Sequence, residues 1–519
     1  MKATARYRLF AITCAFSMGL VGVGCGDGTN NPVPYSSVTA TQNPLVAQYT
    51  IGAAHTGASG WVEFGTDTRY GRQTSVTTPT TAIHQSFSIL VAGMRENTTY
   101  HMRAHVDWDG GSWVDQDRTF KTGSMPSNLV KPTLTASRPA TGLTPSPGVE
   151  LLDLISPTNA HVMDCLVSDL NGNIIWYYDL GVDPQGTGYS PQPIRALPNG
   201  HFLIGVFDLD VVREIDLAGN TIREVGMDWI NQKLQEKGYS FQLEELHHDA
   251  IELPNGHWIV LGNSTQNLTN VSGYPGTTAV LGDQLVDIDP NGDIAWTWSS
   301  FDHLDVDRHP YFALPDWTHS NAIVYTPNDG NLLLSVRAQS WVLKIDYADG
   351  NGTGNVLWRL GQEGDIALAG ADPSQWFYAQ HFPFILSADG SQMRLAIFDD
   401  GNNRVLDNDG HICGLTGPDC ESRGTIYRID ESTRSATLEW QDTPGLYTFW
   451  GGSIDQLANG NMEFDLSEPF RTQDPSGSQV MEVTQTASPQ VVWQMVMSGA
   501  NAYRAYRLPS LYPGVTWQQ

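Results

Sequence analysis

Positive charge is scarce in this 519-residue chain: 28 Lys and Arg stand against 56 Asp and Glu, a formal net charge of −28. Binding along a nucleic-acid backbone needs clustered Lys and Arg, so this balance excludes nucleic acid as a partner. It also repels small anions at long range, so chemistry on a sulfate or phosphate needs a local cluster of donors. Cysteine is scarce too, with five residues, and no CxxC pair or His/Cys cluster has zinc spacing. Neither a metal nor an organic cofactor is expected. Helical patterning is confined to one convincing stretch, Met227 to Ser240, with Gly238 as its stop. Charged residues of both signs make up 16% of the chain, whereas Gly (51), Trp (16) and Tyr (19) are plentiful. That composition suits many short strands joined by tight turns, and the length allows a large domain plus a smaller one.

The opening MKATARYRLFAITCAFSMGLVGVGC is a basic start, an apolar run and small residues, the pattern of an export signal. Its last residues, Val-Gly-Val-Gly-Cys, resemble the bacterial lipobox. The resemblance implies a signal over residues 1–24, cleavage before Cys25 and lipidation of its thiol. The expected location is the cell envelope, held by a lipid anchor as the sole membrane contact. Gly26, rather than Asp, after the Cys is compatible with outer-membrane sorting; the facing side stays open. In such an oxidising compartment Cys413 and Cys420, seven apart around a Gly/Pro loop, are expected to form a disulfide. Cys165 reads as a buried small hydrophobe.

Residues 25–35 are polar and Pro/Gly-rich and read as a tether. Residues 36–123 alternate apolar and polar positions between turns. The stretch LVAGMRENTTYHMRAHV resembles the tyrosine-corner strand of a fibronectin type III domain, with Tyr100 at the corner, which implies a small β-sandwich. Its His84, His101 and His105 read as strand-face or surface residues. Residues 124–147 are rich in Pro, Ser and Thr and read as a linker.

From residue 148 to 519 the chain repeats itself. Six hairpins superimpose, among them CLVSDLNGNIIWYYD, QLVDIDPNGDIAWTW and VMEVTQTASPQVVWQM. Each is an apolar strand, a polar turn and a strand usually carrying Trp: Trp176, Trp296, Trp358, Trp440 and Trp493. Between them sits a second hairpin type, as in IELPNGHWIVLG and VYTPNDGNLLLSV. One hairpin of each type makes a four-stranded sheet. Six sheets at a period of roughly fifty to eighty residues predict an all-β fold, a six-bladed β-propeller behind the small sandwich.

Three histidine arms each precede a hairpin of the second type: LHHDAIELPNG, DWTHSNAIVYTPNDG and QHFPFILSADG. They occupy the same slot in three blades, and Arg337 returns on the strand paired with the middle arm. Innermost strands lead to the axial channel, so these side chains are expected to meet in one pocket.

DWTHSNA with SVR eighteen residues beyond its His, the HHD and QHF arms, and YRAYRLPSLYP near the end resemble the bacterial arylsulfate sulfotransferases that do not use the nucleotide sulfate donor. The resemblance covers roughly Gly148 to Gln519. It implies transfer of a sulfuryl group from an aryl sulfate donor to a phenolic acceptor, through a His nucleophile flanked by two more His and one Arg. Carried over, the nucleophile is His381, the second His is His319, the Arg is Arg337 and Asn321 is a polar substrate contact. For the HHD arm, counting from the following Leu favours His248, and counting on the Ala-Ile pair favours His247, which is kept as a substrate contact. Arg504 and Arg507 either reach the pocket or pair between blades. The same arms read without the resemblance leave a second possibility, a catalytically silent surface propeller that binds glycans or peptides. Whether two copies pair as a homodimer stays open.

Overall fold

The computed structural model describes residues 34–518 apart from 53, 54, 56, 80–85, 156–160, 190, 311, 415–418 and 470–476. The export segment, Cys25, most of the tether and His84 lie outside these residues. The described chain is mostly β, and none of its helices is long and apolar enough to cross a membrane.

The described residues of 35–121 form two antiparallel sheets. Alternation builds their shared core: in Thr99–Trp108 the residues Tyr100, Met102, Ala104 and Val106 are buried, and in Ala47–Gly52 so are Tyr49 and Ile51. The Tyr100 hydroxyl accepts the Arg95 backbone N–H at 2.9 Å, five residues upstream. The end of the chain locks onto this unit. Tyr512 donates to the Leu90 carbonyl at 2.8 Å, and Trp517 meets Phe64 edge-on at 5.9 Å.

From Val149 onward six sheets follow one another, each built on four antiparallel strands; the fifth adds Ala367–Leu368 as a parallel edge strand, and the sixth also has a fifth strand. The last strand, Asn501–Leu508, returns to the first sheet and pairs with Val149–Ile155. Apolar faces of successive sheets share cores. One cluster joins Ile251 and Leu285 to Leu334 and Leu343, and another joins Leu152 and Leu166 to Trp493 and Met495. Three of the outer-strand tryptophans stitch neighbours together: Trp176 donates its indole N–H to Leu217, Trp440 to Thr486 and Trp493 to Leu170, each at a turn carbonyl of the next sheet, whereas the Trp358 N–H has no partner among the described residues. Such a bond fills the one donor of a large apolar ring, whose orphaning when buried costs about 1–3 kcal/mol. In the third sheet Trp298 makes this bond, to Gly354, while Trp296 packs edge-on to Tyr347. Trp296 and Trp298 face the same side of their strand, so the periodicity alone does not separate them.

The stretch read as a linker contributes structure. Its Thr133–Ser137 pairs antiparallel with Val491–Ser498 as an edge strand of the sixth sheet. The helix runs Met227–Glu236 and buries Ile230 and Leu234, four apart on one face; Gly238 follows with φ +82° and ends it. The strands that open the sheets, Glu245–Glu252, Ser320–Thr326, His381–Asp389 and Ser453–Gln456, neighbour one another in that order, with Asn501–Leu508 after the last. This row of leading strands positions the three histidine arms.

Candidate active site

Each arm enters its leading strand through an irregularity. Pairing slips between Leu246 and Ala250, between Ser320 and Ala322, and between His381 and Phe384. Residues there take the left-handed region that non-glycine residues rarely adopt: His248 (φ 56°), His319 (φ 47°) and Phe382 (φ 43°). A bulge re-aims a side chain that would otherwise alternate across the sheet. The imidazoles of His248 and His319 accordingly come together, their ring centroids 4.7 Å apart. Tyr503 bridges to the third arm, 6.1 Å from His248 and 5.9 Å from His381.

His381 is 2% exposed, and its hydrogen bonds fix its tautomer. The Gly451 backbone N–H donates to Nε2 at 3.2 Å, so Nε2 carries the lone pair. The proton of the neutral ring therefore sits on Nδ1, which faces Asp400 Oδ2 at 2.6 Å. Burial pushes the His381 pKa well down, with Arg337, Arg504 and His319 adding to the effect. Burial also pushes the Asp400 carboxyl well up, against the pull of Arg337. The bond between them is still N–H to O, because the Gly451 donor leaves Nδ1 no other role. The outcome is a neutral imidazole with its basic nitrogen toward the site.

The other two arms also set a carboxylate behind an imidazole. His319 Nδ1 lies 2.7 Å from Asp316 Oδ2, at the more exposed side of the site. His248 Nδ1 lies 2.9 Å from His247 Nδ1, and His247 Nε2 lies 3.3 Å from Asp283 Oδ1. His247 thus stands behind His248 instead of beside the other two arms. Burial pushes the His248 pKa well down, reinforced by His319, His247, His381 and Arg337.

Arg337 begins the short turn that follows Asn331–Val336. Its Nη2 donates to the Phe449 carbonyl at 2.8 Å and to Asn402 Oδ1 at 3.3 Å, and its plane lies 4.8 Å over the Phe312 ring. Its buried Nε has no hydrogen-bond partner among the described residues, and neither have Asn321 Oδ1 and the Tyr503 hydroxyl. Buried polar atoms are seldom left so, and polar groups of a bound molecule would satisfy them. Asn321 Nδ2 itself is used, donating to Gln380 O at 2.8 Å.

Arg504 is fully buried and braces all three arms from beneath. It pairs with Asp249 (3.3 Å), next to His248; donates to the carbonyl of Asn321 (2.5 Å), two residues past His319; and covers the Phe382 ring (4.9 Å), next to His381. Arg507 plays no part here and pairs with Glu150, Glu463 and Glu482. Cys413 and Cys420 are bonded to each other, and Cys165 is buried.

Sequence reading passed over Asp283, Asp316, Asp400, Gly451, Phe312 and Tyr503. Asp316 and Tyr503 stand inside motifs already singled out, DWTHSNA and YRAYR, so a signal existed for them. Asp283 and Gly451 sit in unremarkable stretches and meet the site only through the fold.

The arylsulfotransferase (ASST) family model matches residues 149–507. No curated protein matches the chain. Among solved structures, a Bacteroides caccae protein of unknown function is 13% identical, over 69% of this chain and 98% of that one, with a TM-score of 0.38. A streptogramin B lyase is 11% identical over 64% and 94%, TM-score 0.29. The virginiamycin B lyase of Staphylococcus aureus is 13% identical over 59% and 94%, TM-score 0.26.

Proposed function

Because this chain belongs to the arylsulfotransferase family, we propose that it moves a sulfuryl group from an aryl sulfate to a phenolic acceptor through a covalent intermediate on His381. The repeat region is then a six-bladed propeller with the histidine arms at one mouth of its axis. The cores shared between successive sheets and the return of Asn501–Leu508 to the first sheet support that architecture. The front unit is then fibronectin type III-like, in keeping with its two sheets and the Tyr100 bond. The whole is exported and lipid-anchored at Cys25, as the opening sequence implies.

One observation carries the mechanism: the Gly451 amide and Asp400 together leave the lone pair of His381 on Nε2. In the first half-reaction Nε2 attacks sulfur, the N–S bond forms and the S–O bond to the phenol breaks. Arg337 binds and polarises the sulfuryl oxygens, and the Gly451 N–H, released from Nε2, is placed to do the same. His248 and His319, whose rings meet at 4.7 Å, are the groups to hand a proton to the leaving oxygen. Phenols, with pKa about 10, leave far more readily than alcohols, which accounts for an aryl preference. In the second half-reaction an acceptor phenol loses its proton to an imidazole, attacks sulfur and frees Nε2. One pocket serves both halves, so the kinetics are ping-pong. The test is sulfuryl transfer from 4-nitrophenyl sulfate to phenol. Parallel double-reciprocal lines, and loss of turnover in His381→Ala with the fold intact, are expected. Turnover retained in His381→Ala would rule the reading out.

A further inference from the structure

The contact between His247 and His248 has a chemical consequence. Two imidazole nitrogens at 2.9 Å share one proton, since two lone pairs repel and two N–H groups clash. Either His247 Nδ1–H donates to His248 or the reverse holds. Each choice sets what His248 offers the site at its other nitrogen. When His247 donates, neutral His248 carries its proton on Nε2 and is a donor. When His248 donates through Nδ1, its Nε2 carries a lone pair and is a base.

The partner of His247 decides where the extra proton rests. Asp283 is 2% exposed, and its Oδ2 accepts the Ser320 backbone N–H at 2.6 Å. Its Oδ1 lies 3.3 Å from His247 Nε2, at ion-pair distance but outside hydrogen-bond geometry. Burial acts to raise the Asp283 pKa, yet the hydrogen bonds and charge around it win and hold it below the usual carboxylate range. His248 has the opposite setting: His319, His381 and Arg337 act on it from the other arms, Tyr503 packs against it, and His247 stands behind. A positive charge is unwelcome on His248, and the nearest carboxylate, Asp283, stands behind the next ring back.

On the sulfuryl-transfer reading above, we infer that Asp283, His247 and His248 form a proton relay, in which His247 stores the proton exchanged between the two half-reactions and thereby acts as a positioning residue for His248. In the free enzyme His247 is an imidazolium paired with Asp283, and His248 Nε2 bears a proton. When His381 is sulfated, that proton goes to the departing phenolate oxygen, and His248 Nδ1 takes the Nδ1 proton of His247. The sulfo-enzyme holds neutral His247, its remaining proton on Nε2, and a lone pair on His248 Nε2. The acceptor phenol gives its proton to this lone pair as its oxygen attacks sulfur, and the His248 Nδ1 proton returns to His247. Over one cycle the proton count is restored.

The test separates donors by their need of a proton. 4-Nitrophenolate leaves without one, whereas unsubstituted phenolate, with pKa about 10, needs it. In the full-length enzyme, His247→Gln keeps a hydrogen-bonding side chain that cannot store a proton. It should sulfate His381 from 4-nitrophenyl sulfate at close to the wild-type single-turnover rate, and from phenyl sulfate on the order of 100-fold more slowly. Asp283→Asn should shift the same ratio in the same direction. Equal slowing for both donors, the mark of a merely structural role, would overturn the relay, as would no change. Wild-type enzyme with ¹⁵N-labelled histidine gives a readout free of variant folding. An imidazolium signature at His247 in the free enzyme should disappear on sulfation, and a signature identical in both states would overturn the relay. If His381 carries no adduct in the wild type, the sulfuryl-transfer reading itself has failed; an adduct with an unchanged donor ratio in His247→Gln refutes the relay alone.

Discussion

The side-chain nitrogen of Asn321 lies 2.8 Å from the carbonyl oxygen of Gln380, and this bond joins the arm carrying His319 to the arm carrying His381. Both residues are fully buried. Leaving one such carbonyl unpaired costs about 1–3 kcal/mol. Asn321→Ala should therefore lower unfolding stability by about that amount in urea titration. It should also slow turnover by more than a loss of folded protein explains, since Asn321 Oδ1 is one of the unpartnered atoms at the site.

Asp400 holds the proton of His381 on Nδ1. In Asp400→Asn the amide can turn its N–H to Nδ1, which drives the imidazole proton to Nε2 and removes the attacking lone pair. Misplacing the tautomer of a catalytic His in this way costs on the order of 10²- to 10⁴-fold in rate. Rapid-quench sulfation should fall within that range, while the melting temperature holds or rises, because the buried carboxyl replaced is one that burial already disfavours in its charged form. An unchanged sulfation rate would contradict the assigned tautomer.

Three glutamates surround Arg507: Glu150, Glu463 and Glu482, none more than 2% exposed. Burial pushes the Glu463 pKa well above 4.5, against the pull of Arg507. Unfolded, this carboxyl loses its proton near its ordinary value; folded, it keeps it to higher pH. The unfolded state binds fewer protons across that window, so stability falls as pH rises through it. Glu463→Gln cannot ionise and should flatten the decline. Urea unfolding from about pH 5 to about pH 8 measures this, and an identical slope in both proteins would refute the assignment.

The repeat was legible because its signals are local. A Trp at the same place in successive hairpins reports a shared role, and Trp176, Trp440 and Trp493 do make the same bond to the next sheet. The register was less legible. Trp296 and Trp298 share a strand face, and only the neighbouring Gly354 carbonyl distinguishes them. Thr133–Ser137 was hidden because an edge strand needs pairing on one side alone, and Thr, Leu, Ala and Ser among prolines read equally well as linker. The histidine arms stood out by residue type and slot, but their aim did not. A positive φ at His248 and His319 is imposed by the surrounding bulges, and nothing in a His side chain announces it. The supporting atoms are harder still: Gly451 reaches His381 across 70 residues, through a backbone N–H that every non-proline residue has.

The most direct measurement is a quench. Mix the enzyme with an aryl sulfate, stop the reaction within the first turnover, digest and weigh the peptides. The account predicts a gain of about 80 Da, one SO₃, on the peptide containing His381, formed before any acceptor is added and lost at the rate of turnover once phenol is supplied. Phenol release with no such gain on that peptide, or a gain that phenol does not discharge, would contradict it.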